Sequence, residues 1–227
     1  WVEGTGSFNN INPSDTSDQI DSYTSATAEQ FEQAVQAALK AQKEWEKVGI
    51  EKKSQILIKI GDELIAKSKE LGELLSREEG KPLAEGIGEV ARAGQQFQYY
   101  GSECLRLYGE RIPSTRPGFQ VEISREPLGV IGIISPWNFP IAIPAWKAAP
   151  AMMCGNAVIL KPASLTPASA IELTKIIANQ DIPDGLFNLV LGSGGDIGNK
   201  IATHKDIVAI SFTGSVDVGR KLYQDAS

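Results

Sequence analysis

The sequence predicts an α/β fold, a doubly wound parallel sheet preceded by helices and an antiparallel strand. Three observations carry this. Apolar runs at 129–135, 157–161, 187–191 and 207–212 alternate with stretches that fit helices, the βαβ rhythm of a parallel sheet. Upstream of them, apolar residues recur at helical spacing. Residues 119–125 alternate apolar and polar with period two, as a half-exposed strand does.

The elements follow in chain order. Residues 1 to about 26 are polar, with Asn9-Asn10-Ile11-Asn12-Pro13 as turn chemistry and room for short strands. Thr27 and Gln30 form a capping box, after which Phe31, Val35, Ala38, Leu39 and Trp45 mark a helix that Gly49 ends. A second helix is expected over 51–79, with Ile56, Ile60, Leu64, Leu71 and Leu75 as its stripe. Gly80-Lys81-Pro82 breaks it and starts a third, with Val90, Gly94, Phe97, Gly101, Cys104 and Tyr108 on one face. Residues 109–118 are a Pro/Gly-punctuated connector to the strand at 119–125, which reads as an assembly element.

Composition excludes several functions. The 227 residues carry a net charge of -6, against a nucleic-acid binder's basic stripe. No apolar stretch reaches the ~18 residues of a membrane span. The start, Trp1-Val2-Glu3-Gly4, shows no signal-peptide pattern and no Met, so a trimmed, processed or incomplete start is expected. Two cysteines and one histidine offer no metal site and no disulfide framework, and point to a reducing cytoplasm.

The most informative segment is Pro136-Trp137-Asn138-Phe139-Pro140, just past the first apolar run. Open α/β sheets hold their ligands outside the carboxyl ends of the strands. The two prolines restrict the backbone around Asn138, so its amide is aimed at little entropic cost. An aimed amide N–H stabilises an oxyanion on a reacting carbonyl. Gly192-x-Gly194-Gly195-x-x-Gly198 looks like a phosphate cradle, or it is a strand-to-helix turn.

Pro136 to Pro140 resembles the catalytic-asparagine motif of the aldehyde dehydrogenase superfamily. Ile159-Leu160-Lys161-Pro162-Ala163-Ser164, the glycines at 192–198 and Ser211-Phe212-Thr213-Gly214-Ser215 follow in the family's order. The resemblance covers nearly the whole chain. It implies a Rossmann-like NAD(P)-binding part at 129–227, an oligomerisation arm at 109–128 and a helical amino-terminal part at 1–108. It also implies that Asn138 donates its side-chain amide to the aldehyde oxygen. Lys161 would hydrogen-bond the adenosine ribose. Ile134, Ser135, Pro136, Trp137, Ala163, Gly194, Gly198, Phe212, Thr213 and Gly214 would line the cofactor crevice. Ser215, opening a helix, would hold pyrophosphate oxygens, and Val218 would flank the adenine. Ser164 stands where many NAD-preferring members carry a Glu, so NADP is expected to be accepted or preferred, with NAD as the other cofactor.

Neither Cys104 nor Cys154 suits the family's nucleophile; each reads as a small core residue. His204 reads as a solvated helix end, and the acidic residues at 69–79 as solvated faces. Trp146 and Lys147 either border the substrate tunnel or pack. The family's cysteine and water-activating glutamate lie beyond the motif ending at Ser215, and the chain stops at Ser227. The expectation is therefore the cofactor-binding half of a cytoplasmic, oligomeric enzyme, dimer or tetramer. That enzyme would oxidise an aldehyde to an acid through a cysteine thioester. The half chain itself would be inactive. The stretch from Arg116-Pro117-Gly118 through Ile141 to Lys147 resembles enzymes of 2,5-dioxopentanoate (α-ketoglutarate semialdehyde), with succinate semialdehyde and betaine aldehyde as further substrates. A non-catalytic nucleotide-binding or assembly module is the alternative.

Overall fold

A computed structural model describes residues 1–226; Ser227 lies outside the described residues. The polar start forms an antiparallel hairpin of β1 (Thr5–Ile11) and β2 (Gln19–Ser25). The capping box forms as expected. Thr27 Oγ1 accepts from the Gln30 N–H at 3.1 Å and Gln30 Oε1 accepts from the Thr27 N–H at 2.9 Å. Helix α1 (Ala28–Glu46) then buries Phe31, Val35, Ala38, Ala41 and Trp45. Trp45 is wholly buried and its Nε1 donates to the Met152 carbonyl at 2.8 Å, so burial leaves no polar atom unsatisfied.

The single helix expected over 51–79 is two, α2 (Ile50–Ala66) and α3 (Ser68–Glu79). Lys67 between them takes φ −93° and ψ 9°, outside the helical well. No glycine or proline marks the break. Its cause is tertiary: both segments pack on one partner, α4 (Leu83–Glu103). A Cβ on Gly61 would stand 2.6 Å from the Gly94 carbonyl oxygen, and one on Gly72 would stand 2.6 Å from Ile87 Cα. Straight helices that cross diverge after a few turns, so a bend keeps both contacts. Gly80, at φ 86°, ends α3 in the left-handed conformation. The face assigned to α4 ends sooner than expected. Cys104 begins a 3-10 turn, and Tyr108 lies beyond it, 66% exposed.

The connector also differs from expectation. Its first part is β3 (Glu110–Pro113), which pairs antiparallel with β4 (Gln120–Ile123). All eight residues are exposed, so the strand expected to be half-buried belongs to a hairpin open on both faces.

The four apolar runs form one parallel sheet of β5 (Val130–Ile134), β6 (Ala157–Lys161), β7 (Phe187–Leu189) and β8 (Ile207–Phe212). Its order is β7-β6-β5-β8. Crossovers α5 (Ala142–Met153) and α6 (Pro167–Ala178) step outward to β7, while α7 (Asn199–Thr203) precedes the return to β8. Right-handed connections therefore put α7 on the opposite face from α5 and α6. Helix α7 packs closely, since a Cβ on Gly132 at the centre of β5 would meet Ile201 Cγ2 at 2.4 Å. α8 (Val216–Asp225) follows β8. Helices α2, α3 and α4 cover the α5 and α6 layer. Among the described residues no helix is long and apolar enough to cross a membrane.

Candidate functional site

The strand order reverses between β5 and β8, and a crevice outside their carboxyl ends is where such sheets bind ligands. The backbone gathers the predicted residues at that edge. The Ser135 N–H donates to the Lys161 carbonyl at 3.2 Å, and the Thr213 N–H donates to the Ile134 carbonyl at 3.1 Å. Three strand ends are thereby tied to one line. Ser164 Oγ donates to the Gly192 carbonyl at 3.3 Å, joining the loops after β6 and β7.

Two polar groups at these strand ends lack a full set of partners among the described residues. Ser135 Oγ is buried and makes no hydrogen bond. Lys161 is 4% exposed, and its Nζ donates only to the Pro162 carbonyl, at 2.7 Å. Burial pushes its pKa down to about 8. A buried ammonium with spare donors and an unused hydroxyl suit the oxygens of a ribose or phosphate. A Cβ on Gly198 would lie 3.9 Å from Lys161 Cδ, so the glycine segment borders the same lysine.

That segment is a single π turn, Gly194–Gly198, capped by Ser193, whose Oγ accepts from the Asp196 N–H at 3.2 Å. Gly192 is required before it, because a Cβ there would meet Ile197 Cγ1 at 2.5 Å. Gly194 has open space around it. After β8, Gly214 is exposed, and Ser215 caps α8 by accepting the Val218 N–H at 3.4 Å. The N–H groups of Val216 and Asp217, ahead of Val218 in the first turn of α8, have no acceptor within the helix. Val218 is 48% exposed, and Ala163 and Phe212 are half-buried.

Asn138 lies in the loop from β5 to α5 and is exposed, not packed inside. Pro136 is half-buried, while Trp137, Phe139 and Trp146 are 52%, 42% and 42% exposed. The rings of Phe139 and Trp146 stand 6.4 Å apart. Exposed aromatic side chains thus flank an exposed asparagine in the chain.

Sequence reasoning missed what holds this loop. Lys81 Nζ donates to the Asn138 carbonyl at 2.9 Å and lies 4.3 Å from the Phe139 ring centre. It also meets Glu79 at 2.7 Å and Glu89 at 2.6 Å. Glu89 Oε1 accepts the N–H groups of Ile141 and Ala142, at 3.0 and 3.1 Å, where α5 begins without a cap of its own. A signal existed: Glu89 sits on the buried stripe of α4, and a carboxylate there must be paired.

The acidic residues at 69–79 are not all solvated. Glu78 is buried and accepts the N–H groups of Ala168 and Ser169, at 2.6 and 2.9 Å, capping α6. Burial raises its pKa. His204 is docked rather than solvated: its ring meets Phe31 edge-on at 5.8 Å and its Nε2 lies 3.0 Å from Glu32. Lys147 packs, donating to Ser211 Oγ at 2.9 Å. Cys104 is buried as expected, but Cys154 is exposed at the end of α5. Desolvation raises both thiol pKa values, the wrong direction for a nucleophile. Cys154 also lies at the far end of α5 from Asn138, about 18 Å away by helix rise. Among the described residues no cluster suits a metal ion.

The parallel sheet and its helices define an α/β domain of the Rossmann-like kind. Residues 1–227 match the profile of the Aldehyde dehydrogenase family, and the chain belongs to that family. It is 35% identical to 2,5-dioxopentanoate dehydrogenase of Saccharolobus solfataricus, over 99% of this chain and 47% of that protein. It is 40% identical to alpha-ketoglutarate semialdehyde dehydrogenase of Haloferax volcanii, over 84% of this chain and 39% of that protein. Among solved structures, an aldehyde dehydrogenase from Brucella melitensis biovar abortus superposes with TM-score 0.97 at 33% identity, covering 100% of this chain and 47% of that one. A betaine aldehyde dehydrogenase from Staphylococcus aureus in complex with NAD+ superposes with TM-score 0.96 at 30% identity, covering 100% of this chain and 47% of that one. An NADP-dependent glyceraldehyde-3-phosphate dehydrogenase from Bacillus halodurans complexed with NADP superposes with TM-score 0.96 at 32% identity, covering 100% and 49%. The chain spans less than half the length of these relatives.

Proposed function

We propose that this chain is the cofactor-binding half of an NAD(P)-dependent dehydrogenase that oxidises an aldehyde, and by preference a semialdehyde, to a carboxylic acid. The observation that carries the reading is an exposed Asn138 in the loop that directly follows β5, whose end is tied to Lys161. When bound, the dinucleotide supplies the hydride acceptor for the oxidation. Lys161 and Ser135 would hold its ribose, and Ser215 with the first turn of α8 its pyrophosphate. The Asn138 amide donates to the aldehyde oxygen and stabilises the negative charge that grows there on nucleophilic attack. A cysteine nucleophile and a water-activating glutamate come from a catalytic half outside residues 1–227, so these residues alone oxidise no aldehyde.

The substrate class rests on likeness to the two enzymes named for the same C5 keto acid semialdehyde. Ser164 sets the cofactor reading. It is exposed and uncharged beside the loop that follows Lys161, so a 2′-phosphate meets no carboxylate at that position and a cation nearby. The β3–β4 hairpin, exposed on both faces and bearing Ile112, Val121 and Ile123, supports a homo-oligomer built through it. Steady-state oxidation of a panel of semialdehydes by the full-length enzyme, with NADP and with NAD, tests the reading. Oxidation of a dioxo or semialdehyde acid with NADP at least as good as NAD is expected. No oxidation of any aldehyde, or a strong preference for NAD, would count against the respective part.

A further inference from the structure

Asn138 is aimed by more than its two prolines, and we infer that Lys81 and Glu89 are positioning residues for it. The inference rests on the carbonyl-polarising role of Asn138 proposed above. The geometry is a closed brace. Lys81 Nζ donates to Glu89 Oε2 at 2.6 Å and to the Asn138 carbonyl at 2.9 Å, and a Glu79 carboxylate oxygen lies 2.7 Å away as an ion-pair partner. The Lys81 side chain is 9% exposed and that of Glu89 is 1% exposed, so these charges are held out of water as a set. Glu89 uses both oxygens. One binds Lys81, and the other takes the N–H groups of Ile141 and Ala142.

The brace thus grips the loop on both sides of Phe139-Pro140: at the carbonyl of Asn138 and at the first N–H groups of α5. The Phe139 ring lies on the same ammonium. Four contacts from one buried pair hold the segment that carries the Asn138 side chain. Burying a charged pair costs desolvation that two apolar residues would avoid, so packing alone does not account for it. A side chain that must meet a developing charge within a few tenths of an ångström does, since small misplacement of a catalytic group costs rate steeply.

The test is a mutant cycle on the full-length enzyme: Lys81→Met, Lys81→Arg, Glu89→Gln and Asn138→Ala, with each brace variant repeated in the Asn138→Ala background. Lys81→Met and Glu89→Gln are expected to lower kcat about 10- to 100-fold. The KM for cofactor should stay within about twofold, because Lys161 and Ser215 lie on other loops and Ser135 is tied to the end of β6 through its own N–H. Lys81→Arg, which keeps the charge, should recover most of the loss and covers the case in which Lys81→Met does not fold. In the Asn138→Ala background the same changes should cost little more, since they act through that side chain. Full kcat in Lys81→Met, or an undiminished loss in the Asn138→Ala background, would overturn the inference. Full activity of Asn138→Ala itself would instead overturn the role assigned to Asn138.

Discussion

Two side chains at the crevice carry separable consequences. Asn138→Ala should reduce kcat of the full-length enzyme by about 10²–10³-fold, the usual cost of one oxyanion donor, with cofactor affinity unchanged. Rapid-mixing or steady-state kinetics checks it. Lys161 gives a pH signature. Its folded pKa of about 8 lies below the ordinary lysine value of 10.5, so between those pH values the unfolded chain binds more protons. Stability therefore rises as pH climbs from about 8 to 10.5, and the charged lysine is a burden below that window, of at most about 3 kcal/mol. Lys161→Met should be more stable than the parent at pH 7, and the gain should shrink toward pH 10. Chemical denaturation at several pH values measures it. Affinity for a 2′-phosphate should fall as pH rises through 8, while affinity for NAD changes less.

At the scale of elements, two helices of the sheet layer borrow their caps. α5 takes Glu89 and α6 takes Glu78, each from a distant helix. Glu78→Ala leaves two N–H groups at the start of α6 without an acceptor and should cost at least about 2 kcal/mol in unfolding free energy. The helix contacts give a contrast. Gly88 is an exposed α4 residue with open space around it, so Gly88→Ala should stabilise by about 0.5–1 kcal/mol. Gly72→Ala should destabilise despite the same propensity gain, because its Cβ would strike Ile87. Thermal unfolding of the pair decides it. The four sheet strands, the α1 capping box and the Asn138 loop were legible in sequence because they rest on local signals: β-branched runs, a Thr-x-x-Gln spacing, paired prolines. The bend at Lys67, the docking of His204 and the buried role of Glu78 were not. Each depends on a partner at least ten positions away in the chain, and a carboxylate in an acidic run looks the same whether it meets water or a helix end.

At the scale of the whole molecule, the proposed function makes one edge of the sheet the working edge. The sheet places four loops on one side, and the helical layers of α2 to α6 hold those loops from behind. Every proposed role depends on that placement: if the dinucleotide does not sit between the ends of β5 and β8, neither Asn138 nor Lys161 has the task assigned to it. The most direct measurement is an NMR titration of this chain with NADP up to millimolar concentration, following backbone amides and the Trp indoles. The expected result is saturable shifts at Ser135 to Asn138, at Ala163 and Ser164, across Gly192 to Gly198 and at Gly214 to Val218. Shifts confined to another surface, or none at these residues, would contradict the account.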